Sequence, residues 1–433
     1  MAARPRARIA CTAAALVLAL GAVSCSSDSS DGGAAGTTAG TTGTTNPAMN
    51  EPTDAFYQAP NPLPDGKPGD VIRSEPLDGA PAGSQAWRVL YLSTGFDGSP
   101  TAVSGVVIAP NGTTSGSTPG SAPAGTTPAS GRPILAWAHP TTGVVDDCAP
   151  SMLSEVFALI PGLQEFLDAG YVVAATDYEG LGTEGVHPYL IGESEGRSVL
   201  DSARAAQRLA DTGAGDELLL WGHSQGGQAS LFAGQMAPSY APELQLKATA
   251  AAAPAGELAK LLSLDSSTAE GVVLGSYAVN AYTDLYSEQY PDIAEDQVVT
   301  AEGLPAIPEL VKLCDLTQSS QMQTIAEPLA GKFFVGDPGS VAPWSTLLGE
   351  NSPGGEKITS PVLITQGTAD TIVIPSTTAG LVQTFCANGT DVAEKTYDGI
   401  THEMIGYESA GDVATWMGQI MAGDTPTITS TCA

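Results

Sequence analysis

The sequence predicts an α/β protein: a mostly parallel central sheet flanked by helices, with a mainly helical segment inserted late in the chain. Three observations carry this prediction. Apolar runs of strand length alternate with stretches of helical spacing from Val103 to Ala253. One such pair, Asp216 to Met236 (DELLLWGHSQGGQASLFAGQM), reads as strand, tight turn and helix. The alternation stops between Gly256 and Lys357 and returns at Pro361-Val362-Leu363-Ile364-Thr365.

In chain order, Val103 to Ala109 and Ile134 to Ala138 are apolar and β-branched enough for buried strands. Between them Pro110 to Gly131 is rich in Gly, Thr, Ser and Pro, which predicts a disordered surface loop joining neighbouring strands. A helical stretch around Ser154 to Ala169 leads to a strand, Tyr171 to Thr176, that closes on Asp177-Tyr178-Glu179-Gly180. The amphipathic segment Val199 to Leu209 precedes the strand Leu218 to Trp221. After it, Ala229, Phe232, Ala233 and Met236 repeat at helical spacing, and Leu246 to Ala253 is the next strand. The segment 256–357 has a mostly helical pattern broken by aromatics such as Tyr277, Tyr282 and Trp344, and is expected to form a cap over the carboxyl edge of the sheet. Ala393 to Tyr397 is the last strand.

The N-terminus carries different information. Arg4, Arg6 and Arg8 precede the apolar stretch Ile9 to Val23, which ends in Ala22-Val23-Ser24-Cys25. A basic start, a short apolar core and small residues make residues 1–25 an export signal, with Cys25 as a lipidation site of bacterial lipoprotein type. Secretion without a lipid is the alternative. Residues 26–52, dominated by Ser, Gly and Thr, form a disordered tether, and 53–433 the catalytic domain including the 256–357 cap. Cys148, Cys314, Cys386 and Cys432 remain beyond the signal, an even number that argues for two disulfides in any of three pairings. The formal net charge is −31, and −34 without the three signal arginines, which excludes nucleic acid as a partner and favours solubility.

Chemistry enters at Gly222-His223-Ser224-Gln225-Gly226. Its glycines let strand and helix approach closely around a serine held in a strained backbone, which is the outline of a nucleophile elbow. The pattern alone is weak, since with 50 Gly in 433 residues roughly half a match arises by chance. A second match, Gly192-Glu193-Ser194-Glu195-Gly196, places its serine between carboxylates that oppose an alkoxide, and Ser194 reads as a helix N-cap. A serine nucleophile needs an imidazole base and an acid to orient it. His139 lies on the loop expected to bind an oxyanion, His187 precedes the elbow, and His223 is fixed beside Ser224 and points away from its hydroxyl. His402, just beyond the last strand, is the base by elimination. Asp370, in the turn Gly367-Thr368-Ala369-Asp370, is favoured as acid over Asp337 and Asp398, and Asp177 is read as ordering its own loop. Serine, aspartate, histidine is the chain order of α/β hydrolases.

Together AWAHPTTGVVDDCAPS, ATDYEGLGT, WGHSQGGQAS, LITQGTADTIVIP and GITHEM resemble the secretory lipase family, α/β hydrolases similar to fungal lipase A, in its actinobacterial branch. The resemblance runs from about residue 55 onward. It implies an α/β-hydrolase fold, Ser224, Asp370 and His402 as nucleophile, acid and base, the helical insert as a lid, and Cys148 as the cysteine bonded to that lid. Cys314 lies inside the proposed lid, which leaves Cys386 with Cys432. One departure is Pro140, where related sequences often carry glycine and which has no N–H to donate. The oxyanion hole is therefore expected to use the Gln225 amide with Thr141 or Thr142. The expectation is a secreted or surface-anchored ester hydrolase acting on ester or lipid substrates without metal or organic cofactor. A peptidase or acyltransferase on the same fold, or a cell-surface binding protein without chemistry, are the alternatives.

Overall fold

The computed structural model describes residues 55–112 and 130–432. The stretches read above as an export signal with Cys25 and as a tether over 26–52, and most of the expected loop 110–131, lie outside these residues. Among the described residues nine strands form one sheet: β1 (Val71–Pro76), β2 (Ser84–Thr94), β3 (Pro100–Pro110), β4 (Arg132–Ala138), β5 (Val172–Thr176), β6 (Ala214–His223), β7 (Gln245–Ala252), β8 (Val362–Gly367) and β9 (Val392–Tyr397). Their order is β1-β2-β3-β5-β4-β6-β7-β8-β9. The pairs from β5 to β9 are parallel, and β1, β2 and β3 add an antiparallel edge that joins the rest through β3 and β5.

This order corrects the expectation that the loop 110–131 joins neighbouring strands. β5 lies between β3 and β4, pairing Val107 with Ala174 on one side and Ala136 with Ala174 on the other. A connection as long as Pro110 to Gly131 can cross an intervening strand as readily as it joins neighbours, so composition carries no signal for adjacency. β1 and β2 had no counterpart in the sequence reading. In β2 the run is broken by Arg88, which is buried because its guanidinium lies over the rings of Phe56 and Tyr57 and bonds Glu75.

The parallel strands are buried on both faces, which is why they read as continuous apolar runs. Along β6, Leu219 and Trp221 enter one core while Leu218 and Leu220 enter the other, and Leu135 and Trp137 of β4 alternate with Ile134 and Ala136 in the same way. The helices that cover these faces are α1 (Leu163–Asp168), α2 (Gly192–Arg208) and α3 (Gln225–Tyr240). Between β7 and β8 come α4 (Leu258–Asp265), α5 (Ala269–Leu285), α6 (Ile307–Leu310), α7 (Asp315–Ala326) and α8 (Trp344–Glu350). α9 (Pro375–Ala387) and α10 (His402–Ala422) complete the chain. Of the helical stretch expected over 154–169, only α1 is α-helical; Val156–Leu159 is a 3-10 turn, and Gly162 breaks the run with a φ of 75°.

The segment between β7 and β8 shares a core with the sheet. Tyr277, Tyr282, Leu310 and Trp344 belong to the same cluster as Leu219 and Trp221. Thr268 starts α5 by accepting a hydrogen bond from the Gly271 amide at 2.9 Å.

Candidate active site

β6 delivers Ser224 at its carboxyl end. The residue has φ 56° and ψ −117°, a conformation that L-residues rarely adopt, held because β6 and α3 cross almost in contact. A Cβ on Gly222 would lie 2.0 Å from the Gly226 carbonyl oxygen, and one on Gly226 would lie 2.0 Å from that of Ala138. Glycine at both positions is therefore a steric requirement of the turn.

Asp370 follows β8, and His402 opens α10 after β9. His402 Nδ1 lies 2.8 Å from Asp370 Oδ2, and Nε2 lies 2.8 Å from Ser224 Oγ. A carboxylate only accepts, so Nδ1 carries the hydrogen, Nε2 is the acceptor and Ser224 donates to it. All three side chains are buried. The acid is held in turn: its Oδ1 accepts the Ile372 and Val373 amides at 2.9 Å, and its Oδ2 accepts Gln366 Nε2 at 3.1 Å. Thr378 Oγ1 fixes Gln366 by donating to its Oε1 at 2.5 Å. Gln366 had no signal in sequence, since a glutamine ending a strand is ordinary. The arrangement can move a proton from a serine hydroxyl to an imidazole and leave the resulting charge beside a carboxylate.

The remaining histidines have other partners. His139 is buried against Pro140 O and Asp177 O, and burial holds it down to about 4. His223 packs 4.9 Å from the His402 ring, its Nε2 unpartnered among the described residues, and burial first, then the neighbouring imidazole, holds it well below the usual histidine range. Asp177 accepts Ser104 Oγ at 2.7 Å, the Ser151 amide at 2.9 Å and the Ser151 hydroxyl, tying three chain segments together.

The loop after β4 carries Thr141 and Thr142. Thr141 Oγ1 is engaged with Tyr189 Oη at 2.9 Å, whereas Thr142 Oγ1 is buried without a partner among the described residues. The Thr142 carbonyl accepts the Asp315 amide at 2.9 Å. Next to it Cys148 is bonded to Cys314, and a Cβ on Gly143 (φ 135°) would meet Cys148 Sγ at 2.3 Å. Tyr277 Oη donates to Leu313 O at 2.9 Å on the same spot. The inserted segment is thus fastened covalently and by hydrogen bonds to the loop after β4. Cys386 is bonded to Cys432, joining α9 to the C-terminal tail. In the chain-entropy model loops of these lengths contribute about 5 and about 4 kcal/mol.

Gln225 follows the serine and begins α3, so its amide is one of the helix N–H groups with no intrahelical partner. Its side chain points into a buried cluster with His187 and Glu195. Glu195 lies in the first turn of α2, in the second glycine-bounded serine pentapeptide. There the structure corrects the reading of Ser194: the N-cap is Ile191, and Ser194 sits inside the helix and donates to Glu179 Oε2 at 2.5 Å. Gly192 and Gly196 are needed for packing, because their Cβ atoms would meet Phe232 at 2.1 Å and Met236 Sδ at 2.9 Å on α3.

A narrow apolar cavity of about 40 Å³ lies between Gln225 and the inserted helices, lined by Leu258, Leu261, Leu262, Ala278 and Val373 but by none of Ser224, Asp370 and His402. A larger open groove of about 960 Å³, bounded by Phe96, Arg197, Phe232, Tyr240 and Tyr286, contains none of the three triad residues.

The sequence matches the secretory lipase family over residues 157–428. It is 28% identical over 258 residues to Lipase 6 of Candida albicans, covering 55% of this chain and 51% of that protein. The chain spans about half the length of the fungal relatives it first matches. A protein of Mycobacterium tuberculosis described as a probable inactive lipase, MT1628, is 25% identical, with 78% of this chain and 75% of that one covered. The crystal structure of Candida antarctica lipase A superposes with a TM-score of 0.70 at 20% identity, covering 88% of each chain. This likeness establishes an α/β-hydrolase fold.

Proposed function

Because this chain belongs to the secretory lipase family, we propose that it is an exported serine ester hydrolase that cleaves carboxylic esters with an apolar acyl part through an acyl-enzyme. The observation that carries this is the continuous hydrogen-bond chain Ser224, His402, Asp370, with both links at 2.8 Å. Ser224 Oγ attacks the ester carbonyl as His402 Nε2 takes its proton. The oxyanion accepts hydrogen bonds from the Gln225 amide and from Thr142, whose unpartnered hydroxyl makes it the better choice than Thr141. Collapse breaks the ester C–O bond, and the proton on His402 passes to the leaving alcohol. Water, activated by the same imidazole, then releases the acid. The apolar residues Leu258, Leu261 and Leu262 beside Gln225 mark the side on which the acyl chain binds, the narrow cavity there has to widen to take it, and the inserted segment 256–357 acts as the lid above it. The segment ending at Cys25 directs export, and a lipid on that cysteine anchors the protein to the membrane surface.

The probable inactive relative supports a second reading, a surface protein that retains the fold without turnover. One experiment decides between them. Cells expressing the full chain or its Cys25→Ser variant are fractionated, and each fraction is assayed with p-nitrophenyl esters from short to long acyl chains and with a fluorophosphonate probe. Turnover and labelling in the membrane fraction, shifted to the soluble fraction by Cys25→Ser, are expected. Absence of both turnover and labelling from well-folded protein would establish the second reading, and equal partitioning of the two forms would remove the anchor.

A further inference from the structure

Directly behind the proposed oxyanion amide lies a buried carboxyl group that the mechanism does not use. Glu195 is fully buried; its Oε1 accepts the Leu190 amide at 2.9 Å and Gln225 Nε2 at 2.8 Å, and its Oε2 has no partner among the described residues. The orientation of the Gln225 carboxamide follows from its other neighbour. His187 Nδ1 lies 2.8 Å from Glu179 O, so it carries the hydrogen, and Nε2 must accept. The Gln225 atom 2.9 Å from His187 Nε2 is therefore the nitrogen, and both its hydrogens are committed, one to His187 and one to Glu195. That leaves Gln225 Oε1 buried and without a donor among the described residues. Two orphaned oxygens thus sit on two groups already joined by one hydrogen bond, and one proton satisfies both.

We propose that Glu195 is a neutral carboxylic acid in the native protein, paired with the Gln225 carboxamide by two reciprocal hydrogen bonds, and that this pair positions the Gln225 amide for the oxyanion. Gln225 Nε2–H donates to Glu195 Oε1, and Glu195 Oε2–H donates to Gln225 Oε1. The surroundings favour the neutral form. The groups facing Glu195 are His187, with Nε2 at 3.9 Å, and the phenols of Tyr178, Tyr189 and Tyr282. On its own helix Arg197 is paired with Glu193, and neighbouring Glu179 is bonded to Ser194. No Lys or Arg pairs with Glu195 among the described residues. Burial raises its carboxyl from the ordinary 4.5 to about 8 and lowers His187 to about 3. A lone carboxylate in such a site is strained, whereas an acid-amide pair is fully satisfied. Glu195 is a positioning residue, and its role in catalysis rests on the reading of Ser224 and Gln225 given above.

The test uses the full chain with Glu195→Gln and Glu195→Leu. Glutamine reproduces a neutral donor and acceptor but cannot ionise, whereas leucine leaves the Gln225 carboxamide unpaired. Glu195→Leu should lower kcat roughly 10- to 100-fold with KM within about twofold, a smaller loss than deleting an oxyanion donor outright. Glu195→Gln should rescue most of it. A group whose folded pKa is raised stabilises below its ordinary pKa, and that contribution is lost as pH rises through the folded value. Wild-type Tm should therefore fall between about 4.5 and about 8 and level off above, wild-type kcat should decline as pH passes about 8, and Glu195→Gln should lack both changes. The infrared difference spectrum of wild type against Glu195→Gln at pH 6 should contain a protonated carboxyl band. An ionised carboxylate band, or identical pH profiles for wild type and Glu195→Gln, would overturn the proposal. If Glu195→Leu does not fold, the other two measurements still decide. The infrared and Tm readouts need no turnover, so a protein that cleaves no ester would overturn the function while leaving the acid-amide pair measurable.

Discussion

Two pentapeptides of identical pattern, Gly222 to Gly226 and Gly192 to Gly196, occupy unlike places in the fold. In the first the glycines clear backbone carbonyls where a strand turns into a helix, and the serine is forced to φ 56°. In the second the glycines clear side chains where α2 packs on α3, and the serine lies in regular helix. The hydroxyl partners diverge accordingly, an imidazole for Ser224 and a carboxylate for Ser194. A base that accepts and later returns a proton supports chemistry; a carboxylate that holds a hydroxyl supports only structure. The two stretches also meet, because Gln225 of one is bonded to Glu195 of the other.

The comparison breaks most sharply at the serines. Ser224→Ala should lower kcat on ester substrates roughly 10⁵- to 10⁶-fold and abolish fluorophosphonate labelling while Tm stays near wild type. Persistent labelling would move the nucleophile elsewhere. Next in size is the acid that sets Ser224 apart. Asp370→Asn presents the imidazole in the wrong tautomer and should cost about 10⁴ in kcat, checked by steady-state kinetics, with binding of a non-hydrolysable ester analogue retained. The smallest effects belong to the second pentapeptide. Ser194→Ala removes a donor from half-buried Glu179 and should destabilise by about 1–2 kcal/mol. Gly192→Ala should cost about 1–3 kcal/mol through overpacking against Phe232. Chemical denaturation reads both losses, with kcat within about threefold of wild type. A collapse of kcat in a folded Ser194→Ala variant would erase the distinction between the two turns.

The juxtaposition of Ser224, His402 and Asp370 was legible because each follows an apolar run, and parallel strands concentrate their carboxyl ends on one edge. The order of the strands was not, since nothing in Pro110 to Pro133 distinguishes a connection to an adjacent strand from one that skips β5. β2 escaped because buried Arg88 interrupts its apolar pattern. Glu195 escaped for a related reason: a glutamate in a first helical turn normally faces water, and its burial depends on α2, α3 and the loop through His187 converging. Polar residues become informative only when packing decides which of them lose solvent.

The two disulfides are consecutive along the chain rather than interleaved, with separations of 166 and 46 residues. A chain that enters an oxidising compartment N-terminus first therefore presents Cys148 and Cys314 to each other before Cys386 arrives, and each cysteine meets its own partner without reshuffling. The first covalent ring encloses Ser224, the second encloses His402, and Asp370 lies in neither. A molecule caught after the first ring has closed holds a serine with no base. If Ser224 and His402 act as proposed, competence for hydrolysis arises only when the last strand and helix dock.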